Sequence, residues 1–229
     1  MSSFQTAEES KKLRIAAMGP ELGPLYDAMW QQLAWLHHKW DQYVELYGTA
    51  DTRLTILNEA APMFFRVVQD TLWDDVLLHI ARLTDSPQTM NKPNLSIRRF
   101  PGEIDHEPTK VHVQALVDDA LTASEFCRDW RNRHIAHKDL ALALNRAAIP
   151  LKPASRAKVK VAMQALDAVL DGVAHHYLDS ETVFDQQGTA QGAMSLLYVL
   201  DDGIKAEKAR KVRQKTGETI PGDWARPTL

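Results

Sequence analysis

Apolar residues along the chain recur at intervals of three and four positions, which is the period of an α-helix. The clearest run lies between Pro24 and Gly48, and its members are Tyr26, Met29, Leu33, Leu36, Trp40, Tyr43 and Tyr47. Pro24 suits a first helical turn, where its missing N–H costs nothing, and Gly48 can adopt the left-handed conformation that ends a helix. The pattern predicts one long helix between these two residues.

A second helix is predicted to end at Thr84 and to begin at either Asp51 or Asn58. Pro62 either opens this helix or kinks it, because proline fits only the first turn without disturbing the backbone hydrogen bonds. The apolar residues form a face wider than one stripe, which indicates a central position: Phe64, Phe65, Val68, Leu72, Val76, Ile80 and Leu83.

Three more helices are predicted. The first covers about Lys110 to His137, the second begins near Ser155, which is a good N-cap, and the third covers about residues 189–215. The proline-rich residues 85–108 are predicted to form a loop with one short helical turn at 95–100. No segment alternates long enough to indicate a sheet. The sequence therefore predicts an all-α fold, a bundle of four long helices plus a carboxy-terminal helix.

The length of 229 residues suits one large domain or one domain with appendages. We expect an N-terminal extension over residues 1–22, a single helical domain over 23–215 that contains the loop, and a C-terminal tail over 216–229.

The composition, with 45% hydrophobic and 25% charged residues, is that of an ordinary globular protein. The apolar runs are shorter than the roughly 18 residues of a membrane span, and the first residues do not resemble a signal peptide. Cys127 is the only cysteine, which fits a reducing compartment. These features predict a soluble, cytoplasmic protein without a membrane partner.

The net charge of −3 excludes a strongly basic protein that coats nucleic acid, so any contact with RNA must be local. One locally basic stretch lies near the end of the chain: Lys205, Lys208, Arg210, Lys211, Arg213 and Lys215. It is either a solvated last part of a helix, favoured by the helix dipole, or a contact for nucleic acid.

Candidate chemistry is concentrated in residues 129–139, which read DWRNRHIAHKD. Arginines and histidines lie there at the point where the apolar stripe of the third helix stops. A buried guanidinium without a partner is costly, so this helix end must face a carboxylate-rich neighbour, a second copy of the chain or a phosphate.

Arg131, the polar Asn132 directly after it, and His137 resemble the signature of the HEPN superfamily, with five residues between Arg131 and His137. The stretch RNRHIAHKD is similar to the abortive-infection U-type (AbiU-like) branch, and so, with less specificity, are residues 82–85 (RLTD) and 94–97 (NLSI). The resemblance covers roughly residues 20–205. The spacing alone is not specific, because Arg128 and His134 share it.

The resemblance implies a homodimer whose two motifs form one cleft, acting as a metal-independent endoribonuclease in phage defence or in a toxin–antitoxin system. It assigns Arg131, Asn132 and His137 as catalytic residues. Arg133 and His134 lie inside the spacer and are not part of the family pattern, so they are candidates for supporting residues only. RNA is the expected substrate, no cofactor or metal is expected, and an antitoxin partner is implied only by analogy.

The chemistry of RNA is consistent with this assignment. The 2′-hydroxyl of RNA can cleave its own chain, so the enzyme needs neither a nucleophile nor a metal. It needs a group that exchanges protons near neutral pH, which histidine provides, and a permanent cation for the phosphate charge, which arginine provides.

Two alternatives stay open at this point. One is a catalytically inactive HEPN-like module that binds RNA or a nucleotide, or that serves in regulatory dimerisation. The other gives Arg131 and His137 a purely structural role, in a cluster of hydrogen bonds and ion pairs with Asp129, Asp139 or Glu125.

His134 has a structural alternative of its own, as a histidine packed against Trp130 with a satisfied ring nitrogen. A metal site is a third interpretation, in which His134 and His137 bind an ion together with His175 or His176. No cysteine or carboxylate motif accompanies these histidines.

Overall fold

The computed structural model describes residues 6–48, 50–144, 149–180, 184 and 192–224. The fold is all-α, as predicted. The chain divides into two compact units, Met1–Lys39 with Trp73–Gln186 and Trp40–Leu72 with Gln187–Leu229. The α-helices are α1 (Ala7–Tyr47), α2 (Asp51–Ala60), α3 (Pro62–Leu83), α4 (Glu107–Ala123), α5 (Glu125–Trp130), α6 (Leu140–Ala143), α7 (Arg156–Leu178) and α8 (Ala193–Thr216).

Helix α1 begins earlier than the sequence predicts and is kinked at Gly19, whose φ of 85° lies in the left-handed region that favours glycine. Beyond the kink, a Cβ atom on Gly23 would lie 2.6 Å from the Cα of Ile15, so the two segments of α1 approach closely. Arg14 pairs with the buried Asp27 at 2.5 Å. Residues 7–18, expected as part of an extension, are therefore helical, and Met18 is buried.

Pro62 opens a helix rather than kinking one, so the predicted second helix is two helices, α2 and α3. Ala61, between them, has an extended φ of −163°, as expected for a residue that precedes proline. Within α3 the predicted apolar face is correct at Phe65 and wrong at Phe64, which is 62% exposed.

The core of the first unit is made by the apolar stripes of α1, α3, α4 and α7. Those stripes follow the predicted three-and-four spacing, and Ser155 caps α7 as predicted by accepting a hydrogen bond from the amide of Lys158. Gly172 allows α7 to approach α4, because a Cβ there would lie 2.7 Å from Leu116 Cδ1. The buried residues at the centre are Leu33, Leu36, Val76, Ile80, Val113, Val117, Leu166 and Val169.

The predicted loop contains more structure than expected. It holds a short antiparallel pair, β1 (Gln88–Thr89) and β2 (Lys92–Pro93), and a 3-10 helix over Ile97–Glu103 that Ser96 caps. The pair is too short for any alternation of apolar and polar residues to reveal it in the sequence.

The third predicted helix, Lys110 to His137, is not continuous. It is interrupted at Ser124, whose φ of −95° and ψ of 3° depart from helical values. Helix α5 follows, and then a π-helix over Arg131–Ile135. His137 lies beyond the end of the helical segment.

The second unit has its own small core, in which α2 packs against α8. Its buried members are Leu46, Leu57, Phe65, Ala193 and Leu197. Among the described residues, no helix combines the length and the apolar character needed to cross a membrane.

Candidate functional site

The predicted site lies where α5 becomes a π-helix. The amide of Ala136 donates to the carbonyl of Arg131 at 2.8 Å, and the amide of Asp139 donates to the carbonyl of Arg133 at 3.1 Å. These hydrogen bonds are wider than those of an α-helix, so angles measured on an ideal α-helix do not apply to the motif. Asp139 then caps α6 through its side chain, which turns the backbone away after His137.

Arg131 is paired with a residue of the preceding loop. Its Nη1 donates to the carboxylate of Asp85, and its Nε donates to the side-chain oxygen of Asn132 at 2.9 Å. The side chain of Arg131 is 22% exposed, so solvent still reaches it. The three carboxylates considered as structural partners of Arg131 pair with other cations. Asp129 and Asp139 pair with Arg133, and Glu125 pairs with Lys152.

Asp85 is itself held in place by the loop. The hydroxyl of Ser96 donates to the backbone carbonyl of Asp85 at 2.6 Å. Arg99 donates to the carbonyls of Asn94 and Pro87, and this ties the loop that follows Asp85 into one piece. The loop therefore positions the carboxylate that meets Arg131.

Arg133 and its neighbours hold the motif in place through ion pairs and hydrogen bonds. Arg133 pairs with Asp129 at 3.4 Å and with Asp139 at 3.3 Å, and it also donates to the carbonyl of Ile149. Asp129 accepts from the amide of Lys152, whose carbonyl accepts from the indole N–H of Trp130. Arg133 thus joins the motif to the chain that leads into α7.

The two histidines of the motif differ in their surroundings. The ring of His134 meets the ring of Trp130 edge-on, with 5.4 Å between centroids and an angle of 73°. His137 is exposed, and no hydrogen bond or ion pair joins it to any described residue. An exposed imidazole of this kind is accessible to a substrate, whereas His134 is part of the packing.

Arg128, which shares the Arg–His spacing with His134, makes internal hydrogen bonds. Its guanidinium donates to the hydroxyls of Thr84 and Ser124 and to the carbonyl of Leu121 at 2.7 Å. Burial lowers the pKa of Arg128 below its usual value. Arg128 and His134 therefore have structural contacts within the fold, while Arg131 and His137 remain partly accessible to solvent.

Positive charge is concentrated around Asp85. Arg98 and Arg128 lie close enough to repel each other electrostatically, whereas the carboxylate of Asp85 attracts Arg128. Arg82 is exposed, and no described residue pairs with its guanidinium. With Arg131, these side chains form a local cationic region on a protein whose net charge is negative.

A cavity of about 270 Å³ opens beside the Asp85–Arg131 pair. Helices α1 and α3 and the loop line it, through Gln32, His79, Arg82, Leu83, Asp85, Asn94 and Leu95. His79 is buried and shares a hydrogen bond of 3.1 Å with Gln32. Burial, together with the charge of Lys39, lowers the pKa of His79 to about 4.

The basic stretch of α8 is largely matched by carboxylates. Lys205 pairs with Asp201, Lys208 with Glu59, Lys211 with Glu207 and Arg213 with Asp223. This arrangement agrees with the interpretation of α8 as a solvated helix.

The described residues contain no group of three or more histidine, cysteine or acidic side chains arranged to hold a metal ion. His176 stacks on His106 with 4.5 Å between ring centroids.

Sequence reasoning missed the partner of Arg131. The signal was nonetheless present in residues 82–85, because Thr84 meets Arg128 and Asp85 meets Arg131. Two stretches of the resemblance that lie far apart in the chain therefore contact each other in the structure.

The all-α fold and an arginine–polar–histidine motif at a helix end define the class of HEPN-type domains. The family model of AbiU2, a HEPN family, matches residues 19–193. The chain therefore belongs to the AbiU2 family of HEPN proteins, which confirms the predicted resemblance. HEPN-type domains are often ribonucleases or related to abortive infection. Neither the curated proteins nor the solved structures contain a match to this chain.

Proposed function

We propose that this protein is a metal-independent endoribonuclease that acts as a homodimer in phage defence or in a toxin–antitoxin system. The observation that carries the proposal is the difference between the histidines, because His137 is exposed and unpaired by described residues while His134 packs on Trp130. Membership of the AbiU2 family supports the same activity.

In the proposed reaction, the 2′-oxygen of RNA attacks the adjacent phosphorus and the bond from phosphorus to the 5′-oxygen breaks. The products are a 2′,3′-cyclic phosphate and a free 5′-hydroxyl. One His137 removes the proton of the 2′-hydroxyl, and His137 of the second copy protonates the leaving 5′-oxygen. Neither step needs a metal ion.

Arg131 stabilises the charge that builds on the phosphate oxygens. Asn132 orients this guanidinium, since its side-chain oxygen accepts from Arg131 Nε at 2.9 Å. Arg133 supports the site through its ion pairs with Asp129 and Asp139, and His134 supports it through its contact with Trp130. An antitoxin that covers this cleft is part of the proposal by analogy with toxin–antitoxin systems.

A second candidate is a catalytically inactive module that binds RNA or a nucleotide, or that serves in regulatory dimerisation. The pairing of Arg131 with Asp85 favours it, because a phosphate must compete with a carboxylate already in place. The two candidates differ in whether RNA is cut.

The decisive experiment is incubation of single-stranded RNA with the purified full chain in EDTA, beside His137→Ala and the matched control His134→Ala. Cyclic-phosphate ends that disappear only with His137→Ala support the nuclease. RNA binding without cleavage supports the inactive module. Light scattering that finds a monomer at micromolar concentration contradicts the shared cleft.

A further inference from the structure

The cavity beside Arg131 has walls of two chemical kinds. Leu83 and Leu95 are apolar, while the carboxylate of Asp85 and the amide of Asn94 are polar. Asp85 both lines the cavity and pairs with Arg131, so this carboxylate connects the cavity wall to the arginine of the motif. The volume of about 270 Å³ is near the lower end of ligand pockets, which suits one planar ring rather than a duplex.

Two residues of the cavity wall carry hydrogen-bond acceptors that are not used internally. The side-chain nitrogen of Asn94 donates to the carbonyl of Ser86 at 2.9 Å and to the hydroxyl of Thr89 at 2.8 Å. A backbone carbonyl only accepts, so this geometry fixes the orientation of the amide and identifies its oxygen as an acceptor. Among the described residues, neither that oxygen nor the Oδ1 of Asp85 accepts a hydrogen bond.

The other polar side chains of the cavity wall, those of His79, Gln32 and Arg82, suit an uncharged ring as the occupant. His79 is neutral at pH 7, because its pKa lies near 4, and it fixes the side chain of Gln32 through their hydrogen bond. The Arg82 guanidinium lies at the rim, where it is exposed. The carboxylate of Asp85 in the wall is paired with Arg131, so the described residues of the interior hold no unpaired charge. Such an interior with a cation at the entrance suits a base inside and a phosphate outside.

We propose that this cavity binds a single base of an RNA strand, that the base carries an exocyclic amino group, and that its phosphate lies between Arg82 and Arg131. This inference rests on the proposed function in taking RNA as the substrate. Adenine, cytosine and guanine present an amino donor to the acceptors of Asp85 and Asn94. Uracil has no amino group, and its Watson–Crick donor, the ring N3–H, lies between two carbonyl oxygens that face these acceptors unfavourably.

The test is a calorimetric titration of the full chain with AMP, CMP, GMP and UMP in separate runs. Leu95→Trp fills the cavity, and Met90→Trp is the matched control, because it adds the same bulk to the 93% exposed tip of the hairpin. Gln32→Ala is a second variant at an exposed position of α1, and it removes a polar wall if Leu95→Trp does not fold.

We expect UMP to bind at least about fivefold more weakly than the other three nucleotides, which corresponds to one lost hydrogen bond. Leu95→Trp should weaken binding by about tenfold or more, Gln32→Ala by about threefold, and Met90→Trp by less than twofold. Equal binding of all four nucleotides, no binding of any, or unchanged binding to both Leu95→Trp and Gln32→Ala would overturn the inference.

RNA cleavage by the same wild-type preparation separates this inference from the proposed function. Selective nucleotide binding without cleavage supports the cavity and rejects the nuclease. Cleavage with no selective binding supports the nuclease and rejects the cavity as a base subsite.

Discussion

The guanidinium of Arg131 pairs with the carboxylate of Asp85, which lies 46 positions earlier in the chain. The pair fixes the direction of the arginine that the family motif places in the site. It also puts a negative charge where the proposed reaction requires a phosphate. In the proposed reaction, Asp85 is therefore a positioning residue with opposite effects on substrate affinity and on the chemical step.

Asp85→Asn is expected to separate these two effects. The KM for RNA should fall about threefold, because a charge that repels phosphate is removed while the amide oxygen of Asn can still accept a hydrogen bond from the base. The kcat should fall about tenfold, because the guanidinium of Arg131 loses its orientation. Steady-state cleavage of a short single-stranded RNA measures both. Asp70→Asn, at an exposed pair with Arg66, is the control and should change neither. A decrease in kcat/KM that comes from a higher KM, with kcat unchanged, would contradict the positioning role.

Substitution of His137 by alanine is expected to lower RNA cleavage by about 100-fold or more, since a general acid–base group is lost. His134→Ala removes only the contact with Trp130, so a loss of about tenfold or less is expected. Initial rates of fluorogenic RNA cleavage in EDTA give both values. Equal losses in the two variants would remove the distinction on which the site assignment rests.

Arg128→Met is expected to destabilise the fold by about 2 kcal/mol, because it leaves the buried hydroxyls of Thr84 and Ser124 without their cationic donor. Urea unfolding followed by circular dichroism measures this change. Arg66→Met, in an exposed ion pair, should change the free energy of unfolding by about 0.5 kcal/mol or less. Comparable midpoints for the two variants would show that Arg128 is not structural.

Cys127 is expected to be unreactive in the native protein. It is fully buried, and burial raises the pKa of its thiol to about 12, so almost no thiolate is present at pH 8. Ellman's reagent should label the protein only after urea is added. Because Cys127 is the only cysteine, the absorbance change reports this position alone. Rapid labelling without urea would mean that α5 opens readily.

The pH dependence of stability should contain a contribution from His79. Its folded pKa, about 4, is lower than its ordinary value of 6.5, so folding favours the neutral imidazole. The contribution is present above about pH 6.5 and is lost as the pH falls towards 4. Wild type should lose about 2 kcal/mol more than His79→Gln over this interval. Urea midpoints at pH 7 and pH 4.5 test the difference, and equal losses would argue against it.

The helices could be predicted because their signal is local. The stripe from Tyr26 to Tyr43 is buried as its spacing predicts, and Ser155 caps α7. Errors occurred where a single residue decides the outcome. The helix that the spacing predicts as continuous ends at Ala123 and begins again at Glu125, and apolar spacing carries no information about a break of one residue.

The site could be predicted only in part. The residue types of the motif indicate phosphate chemistry, but helical angles mislead once the backbone adopts the wider hydrogen bonding that begins at Arg131. The pairing with Asp85 depends on a loop held by Ser96 and Arg99, and contacts over such a separation have no periodic signature. The cavity follows from the same loop.

The π-helix at Arg131–Ile135 has a consequence for how this protein changes under selection. Such a segment holds one residue more than an α-helix would, and it is less stable than the regular ladder that a one-residue deletion would restore. Selection for heat resistance alone should therefore enrich deletions within this segment. In such variants the helix would be regular, and His137 would no longer be displaced from it. Selection for function should retain the extra residue despite its cost in stability.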